Sequence, residues 1–312
     1  MFKITGKKFT MKEIGELWLQ SKKLNVKSSS YCSYKRTLDK HIYPELGKLK
    51  YSAITKSQLN SFVENLLISG RKDGKGGLSD STVKDIITLL KSVSKFARSE
   101  YDLKDICENL KLSQFKKNDI QILTNSERKK LETYLLDKLT MPNLCILLSL
   151  YTGLRVGEIC GLKWEDIDIK NGCLFVIRTV ERISLGNGKT IVVIEPPKTE
   201  SSIRKVYIPH FIVALLKKYK DNPEKYILSG KTEPKEPRFL QYRFKTIIKK
   251  LNIKDLSFHS LRHTYASMCI EKGFDPKTLS ELLGHSDVKI TLNTYVHSSD
   301  ALKKKYVKRL IK

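Results

Sequence analysis

The stretch "HSLRHTYAS", residues 259–267, sets two imidazoles and a guanidinium within five residues. Helical spacing puts His259 three residues from Arg262 and four from His263, so the three share a face. Clustered cations repel one another unless an anion sits among them, and a DNA phosphate is the expected anion. The i, i+4 pair His259 and His263 also suits a metal-binding helix. Ser260 stands where an H-E-x-x-H helix carries glutamate, however, and no cysteine pair offers further ligands, so no metal is expected.

Three more stretches carry residues of the same chemistry. In "TGLRVGEICGLKWEDID" (152–168) Arg155 follows a Gly-Leu helix break that can present it at a concave surface. Glu158, three residues on, can hold the guanidinium in place; the plainer alternative is an ordinary surface ion pair. In "PPKTESSIRKVYIP" (196–209) Lys198 ends one predicted strand just before a turn, where the plainer alternative is a solvated turn lysine. In "LLGHSDVKITLNTYVH" (282–297) Gly284 should stop a helix, leaving His285 where a donor can reach a phosphate oxygen.

Moving a phosphodiester bond without a metal needs a nucleophile, neutralisation of the non-bridging oxygens and a proton donor for the leaving oxygen. Arginine suits the second task, because guanidinium stays ionised and forks onto paired oxygens. A histidine such as His259, titrating near neutrality, suits a hydrogen bond or a proton relay. His263 is expected to give structural support, buried against neighbouring helices. A tyrosine hydroxyl, with a pKa of about 10, attacks poorly unless nearby cations favour the phenolate. Tyr295, Tyr265 and Tyr306 are the candidates near this cluster, among fourteen tyrosines.

The whole chain is charged to match. Lysine and arginine number 59 against 33 acidic residues, a formal charge of +26, which draws polyanions at long range. Part of that excess has a simpler source, a codon bias toward lysine, since 47 of the cations are lysines and 12 arginines. Such a bias makes each arginine more informative. The six cysteines (32, 107, 145, 160, 173 and 269) are scattered, several in apolar runs, and read as reduced core residues of a cytoplasmic protein. No apolar run reaches the ~18 residues of a membrane span, and "MFKITGKKFT" lacks a signal core. There is no G-x-x-x-x-G-K-[ST] loop and no acidic metal cluster, so neither nucleotide nor any other cofactor is expected.

The elements that must position these residues follow from start and stop signals. Thr10-x-x-Glu13, Thr55-x-x-Gln58 and Thr124-x-x-Glu127 are capping boxes that open helices. "SSSYCSYKRTLDKHIYPELGK" reads as a helix stopped near Pro44 and Gly47, and "SDSTVKDIITLLKSVSKFARSEY" as a long one. Residues 1–111 are therefore expected to form an all-α bundle, 112–122 a linker and 123–312 a mixed α/β, mainly helical domain. In the last, "NLCILLSLYTG" reads as a buried helix ending at Gly153. "CLFVIRTVERI", "TIVVIEPPK" and "IRKVYIP" read as one small antiparallel sheet. Helices are expected at 211–220, 238–251, 258–271, 276–283 and near 300–310.

Together the four stretches resemble the tyrosine recombinases, the phage-integrase family, while residues 10–100 more loosely resemble the family's helical, SAM-like core-binding domain. The resemblance implies an active-site set of Arg155, Lys198, His259, Arg262, His285 and Tyr295. Tyr295 would be the nucleophile and Lys198 the proton donor to the departing 5′ oxygen. It further implies a site-specific recombinase or integrase, acting through a 3′-phosphotyrosyl bond on double-stranded DNA, as a homotetramer on paired sites in the cytoplasm and nucleoid. Two domains would clamp the duplex, and room is left for an excisionase or a DNA-bending accessory protein. The basic tail "SSDALKKKYVKRLIK" resembles the terminal helix that members pass to a neighbouring subunit; a solvated end helix is the alternative. Only about nine residues precede the first capping box, so the arm-site-binding domain of some integrases is either not used or trimmed away. The competing readings are a chromosome- or plasmid-dimer-resolving recombinase, a type IB topoisomerase and a non-catalytic DNA-binding regulator.

Overall fold

A computed structural model describes residues 9–108, 110, 120–186, 189–197 and 202–295, with side chains to residue 292. The chain divides into two compact units, the first of residues up to 118 with 183–191, the second of 119–182 with 192 onward.

In the first unit residues 9–108 are mainly helical. Helix α1 (Met11–Lys22) and helix α4 (Lys56–Ser69) open on the capping boxes of Thr10 and Thr55. At Thr10 the backbone N–H donates to Glu13 at 2.8 Å while the Glu13 N–H returns to the threonine hydroxyl, so two orphan donors of the first turn are met. The segment expected as one helix is α2 (Ser28–Thr37), a π turn over Leu38–Ile42 and the single turn α3 (Tyr43–Leu46). Pro44 accounts for the π turn: it has no N–H for the Lys40 carbonyl and its ring would crowd that oxygen. Tyr43 instead donates to Leu38, one residue further back than in an α-helix. Helix α5 (Asp80–Tyr101) buries Val83, Ile86, Ile87, Leu90, Val93 and Ala97, a stripe at helical period. That stripe meets Ile14 and Trp18 of α1, Leu38 and Ile42 of the π turn, and Phe62 and Leu66 of α4 in one core.

The second unit is built round α7 (Met141–Thr152). Nine of its twelve residues are buried, as suits a helix apolar on every side. Helices α6 (Asn125–Asp137), α8 (Val156–Gly161), α9 (His210–Lys218), α10 (Pro237–Lys250) and α11 (His259–Glu271) pack round it. The Thr124 capping box opens α6 as expected. Helices α12 (Pro276–Leu283) and α13 (Val288–Tyr295) follow, α12 seated on α11 through Ala266, Cys269, Leu279 and Leu283.

The single expected sheet is in fact two. Strands β1 (Ile167–Asp168), β2 (Cys173–Val176) and β5 (Arg204–Tyr207) form one antiparallel sheet, with Val176 opposite Arg204 and Leu174 opposite both Ile167 and Val206. Among the described residues, strands β3 (Thr179–Gly186) and β4 (Lys189–Glu195) pair only with each other. The break falls at Arg178, whose guanidinium donates to Asp166 at 2.6 Å and Glu165 at 3.1 Å and so ties the chain to the turn ahead of β1. The expected linker lies mostly outside the described residues, as does the expected helix near 300–310. All six cysteines are free; five are buried and Cys32 is half-buried. Among the described residues no helix is long and apolar enough to cross a membrane.

Candidate active site

The end of α12 organises the site. Asp275 caps its start, accepting from the Lys277 and Thr278 N–H groups, and Pro276 takes the first turn where no donor is needed. Gly284, at φ +65°, stops it. The Gly284 N–H returns to the Glu281 carbonyl and the His285 N–H to that of Ser280, each at 3.0 Å, the two bonds of a Schellman turn. The next three carbonyls, of Leu282, Leu283 and Gly284, point outward at the negative end of the helix dipole. Three guanidinium groups meet them. Arg204 Nε donates to Leu282 O at 2.8 Å, Arg262 to Leu283 O at 2.7 Å, and Arg155 to Gly284 O at 3.4 Å.

Each arginine arrives on a different element. Arg155 is the N-cap of α8, placed there because Gly153 ends α7 in the left-handed region at φ +68°. A Cβ at Gly153 would lie 2.6 Å from the Tyr265 ring and 2.7 Å from Leu283, so both its conformation and its neighbours require glycine. The Gly153 carbonyl is thereby free to accept from Arg262 at 2.9 Å. Glu158 takes the Arg155 backbone N–H on one carboxylate oxygen at 2.9 Å and the guanidinium on the other at 2.8 Å. Arg204, at the head of β5, forks onto the same two oxygens at 3.1 and 3.0 Å.

Burial grades the group. The Arg262 residue is 1% exposed, while the Glu158 and Arg204 side chains are 3% and 6% exposed; Arg155 reaches solvent at 36%. Burial alone would push the Glu158 carboxyl up, but the Arg204 and Arg155 cations outweigh it and hold the group below its usual range.

His285 is half-buried, with Nδ1 2.8 Å from the hydroxyl of Thr291, which is fully buried on α13. Burial, then the charges of Arg262, Arg155 and Arg204, lower its pKa to about 4. His259 opens α11 and keeps an exposed edge. Withdrawal of part of its ring from water, followed by the positive fields of His263, Arg262 and Arg155, takes it to about 4 as well. His263, expected to be buried against other helices, is half-buried and packs edge-to-face on His259 with centroids 4.6 Å apart.

The chain thus brings Arg155, Arg262 and His285 to one helix end, with His259 within their field. Lys198 and the side chain of Tyr295 lie outside the described residues. Pro197 and Ser202, on either side of 198–201, line a cleft of about 280 Å³ with Arg155, Glu158, Gly284 and His285. The backbone of Tyr295 ends α13, the helix that the His285–Thr291 bond ties to the site. Of the rival tyrosines, Tyr306 lies outside the described residues. Tyr265 is packed against Gly153, and burial pushes its hydroxyl well above the usual range, the reverse of what a nucleophile needs. Arg204 and Thr291 were not singled out from the sequence. The scarcity of arginine was a signal for the first; the second gave none.

Arranged in this way, the group can hold an anion against two imidazoles that stay neutral until it arrives. The description "phage integrase family" fits residues 115–301, and "phage integrase, N-terminal SAM-like domain" fits residues 10–67. A tyrosine recombinase XerC-like protein of Caldanaerobacter subterraneus is 29% identical over 92% of this chain and 79% of its own length. The ICEBs1 integrase of Bacillus subtilis is 27% identical over 90% of this chain and 77% of its own. The Tn1549 transposon integrase, solved in complex with transposon right end DNA, shares the fold at a TM-score of 0.77. It is 22% identical, and the match covers 97% of this chain and all of that one. With a family match over more than half its length, an N-terminal SAM-like domain and a mainly helical α/β catalytic domain, the chain belongs to the phage integrase family of tyrosine recombinases.

Proposed function

We propose that this chain is a site-specific recombinase that cuts and rejoins duplex DNA through a 3′-phosphotyrosyl intermediate, serving the integration and excision of a mobile element. The observation that carries the reading is the convergence of Arg155, Arg262 and His285, from three distant stretches, on one helix end beside α13. In the first step the Tyr295 hydroxyl passes its proton to the neutral imidazole of His259 as its oxygen bonds to the scissile phosphorus. The bond to the 5′ oxygen breaks, and that oxygen takes a proton from Lys198. Arg155 and Arg262 neutralise the non-bridging oxygens, and His285 and His259 donate hydrogen bonds to the charge that builds there. The second step is the reverse: a 5′ hydroxyl from a partner strand attacks the phosphotyrosyl bond and tyrosine leaves. The ester energy is kept in the covalent bond, so the scheme calls for neither ATP nor a metal. Residues 1–111 and 123–312 would clamp the duplex from two sides, and four copies on paired sites would exchange strands.

A nicked suicide substrate tests the scheme. Wild-type protein should accumulate a covalent adduct that peptide mapping places on Tyr295, and Tyr295→Phe should bind the same DNA yet form none. An adduct that persists in Tyr295→Phe would assign the chemistry to another residue. Resolution of replicon dimers is a second reading, favoured by the likeness to the XerC-like protein. Recombination that requires two directly repeated copies of one site would support it over integration.

A further inference from the structure

We infer that Arg204 is a positioning residue of the reaction: its buried guanidinium fixes Arg155 and the His285 turn in register with each other. The inference rests on the recombinase reading and names a residue that reading does not use.

The Arg204 side chain is 6% exposed and donates from Nε, Nη1 and Nη2 to protein acceptors, so the effect inferred for it runs through those partners. Those partners come from three separate elements. Two are the carboxylate oxygens of Glu158 on α8, the third is the carbonyl of Leu282 at the end of α12, and the fourth is the carbonyl of Ser202 at 3.1 Å. Glu158 is also the group that grips Arg155, by its backbone and by its guanidinium. A shift of Arg204 therefore moves Glu158 and, with it, the outward-facing Arg155. Leu282 stands three residues before His285, and the turn between them closes over the Arg204 stem. A Cβ added at Gly284 would lie 3.0 Å from Arg204 Cδ. The Ser202 bond fixes the described residue that follows 198–201.

Charge gives a second reason for an arginine here. Arg204 and Arg155 share one carboxylate, so the trio carries a net positive charge while fully assembled. The Arg204 field is one of those that keep His285 neutral before substrate arrives. A lysine would keep the charge but, as a point donor on a flexible stem, could not reach all four acceptors at once.

The test is made in the full-length chain with the nicked suicide substrate. Arg204→Lys should melt as a folded protein and bind the site with a Kd within about threefold of wild type. It should form adduct ~100-fold more slowly, the loss expected when a reacting group is misplaced by about an ångström. Glu158→Gln, acting on the same contact, should give a similar loss. The double variant should be little slower than either single one, because both break one linkage. If Arg204→Lys does not fold, Glu158→Gln and its rate at unchanged DNA affinity carry the test alone. An adduct rate within threefold of wild type in the folded variant would overturn the inference. So would losses of rate and affinity in equal proportion, or losses that simply multiply in the double variant. If wild-type protein itself forms no adduct, the recombinase reading fails first and the role of Arg204 falls with it.

Discussion

His285 and His259 are neutral in the free protein because burial and nearby cations hold their pKa values near 4: Arg262, Arg155 and Arg204 at His285, and His263, Arg262 and Arg155 at His259. The unfolded chain takes up those two protons near pH 6.5, the folded chain only near 4. Acidification through that window thus favours the unfolded chain: the stability is whole above pH 6.5 and declines as pH falls toward 4. Glu158 acts in the same sense at lower pH, since its depressed carboxyl contributes above the ordinary carboxylate range and ceases to as it protonates. A DNA phosphate placed among the arginines reverses the field at both imidazoles and raises their pKa. DNA binding at pH 6 should therefore take up protons, and at pH 8 almost none. Titration calorimetry in two buffers of different ionisation heat reads this directly. Equal heats in both buffers at pH 6 would mean that no phosphate enters the field of His285 and His259.

Among the elements, the turn between α7 and α8 holds the site most tightly. Gly153→Ala must accept a left-handed backbone and a methyl within 3 Å of Tyr265 and Leu283. Backbone strain of about 1–2 kcal/mol and overpacking of about 1–3 kcal/mol predict a loss of about 2–5 kcal/mol in urea denaturation. The variant should also lose adduct formation, because the displaced carbonyl is an acceptor of Arg262. A variant as stable as wild type would show that the turn can relax without Gly153. Features of this kind were legible in the sequence, since a stop glycine and a capping box act within four residues. Thr10, Thr55 and Thr124 each opened the helix expected of them, and His259 opened α11. Scarcity marked Arg204 as an arginine of note, but its place was not legible, because its partners Glu158 and Leu282 stand 46 and 78 residues away. The division of the sheet was hidden for the same reason. Strand propensity continues through residues 173–183, and what interrupts it is the long-range fork of Arg178 onto Glu165 and Asp166. The π turn follows from Pro44, but the sequence pattern of α2 and α3 is equally that of one helix.

On the scale of the whole molecule, the charge of +26 poses a choice between codon bias and a built electrostatic footprint. The two differ in what salt does. Cations that lie along a duplex release condensed counterions on binding, and the affinity then falls linearly in a double-logarithmic plot with a slope of about −0.9 for each phosphate neutralised. Six to ten such contacts predict a loss of ~10³- to 10⁵-fold between 50 and 200 mM salt. Lysines scattered by codon bias would add net charge but few fixed contacts, and would leave a shallow slope. The site's own cations behave differently, because Arg262 and Arg204 are buried and tied to carbonyls and a carboxylate that added salt does not screen. Adduct formation at saturating DNA should therefore change little over the same salt range in which binding weakens steeply. Fluorescence anisotropy with duplex DNA and single-turnover cleavage, each run from 50 to 200 mM salt, make the comparison. A binding slope shallower than about −2 would assign the lysine excess to composition alone.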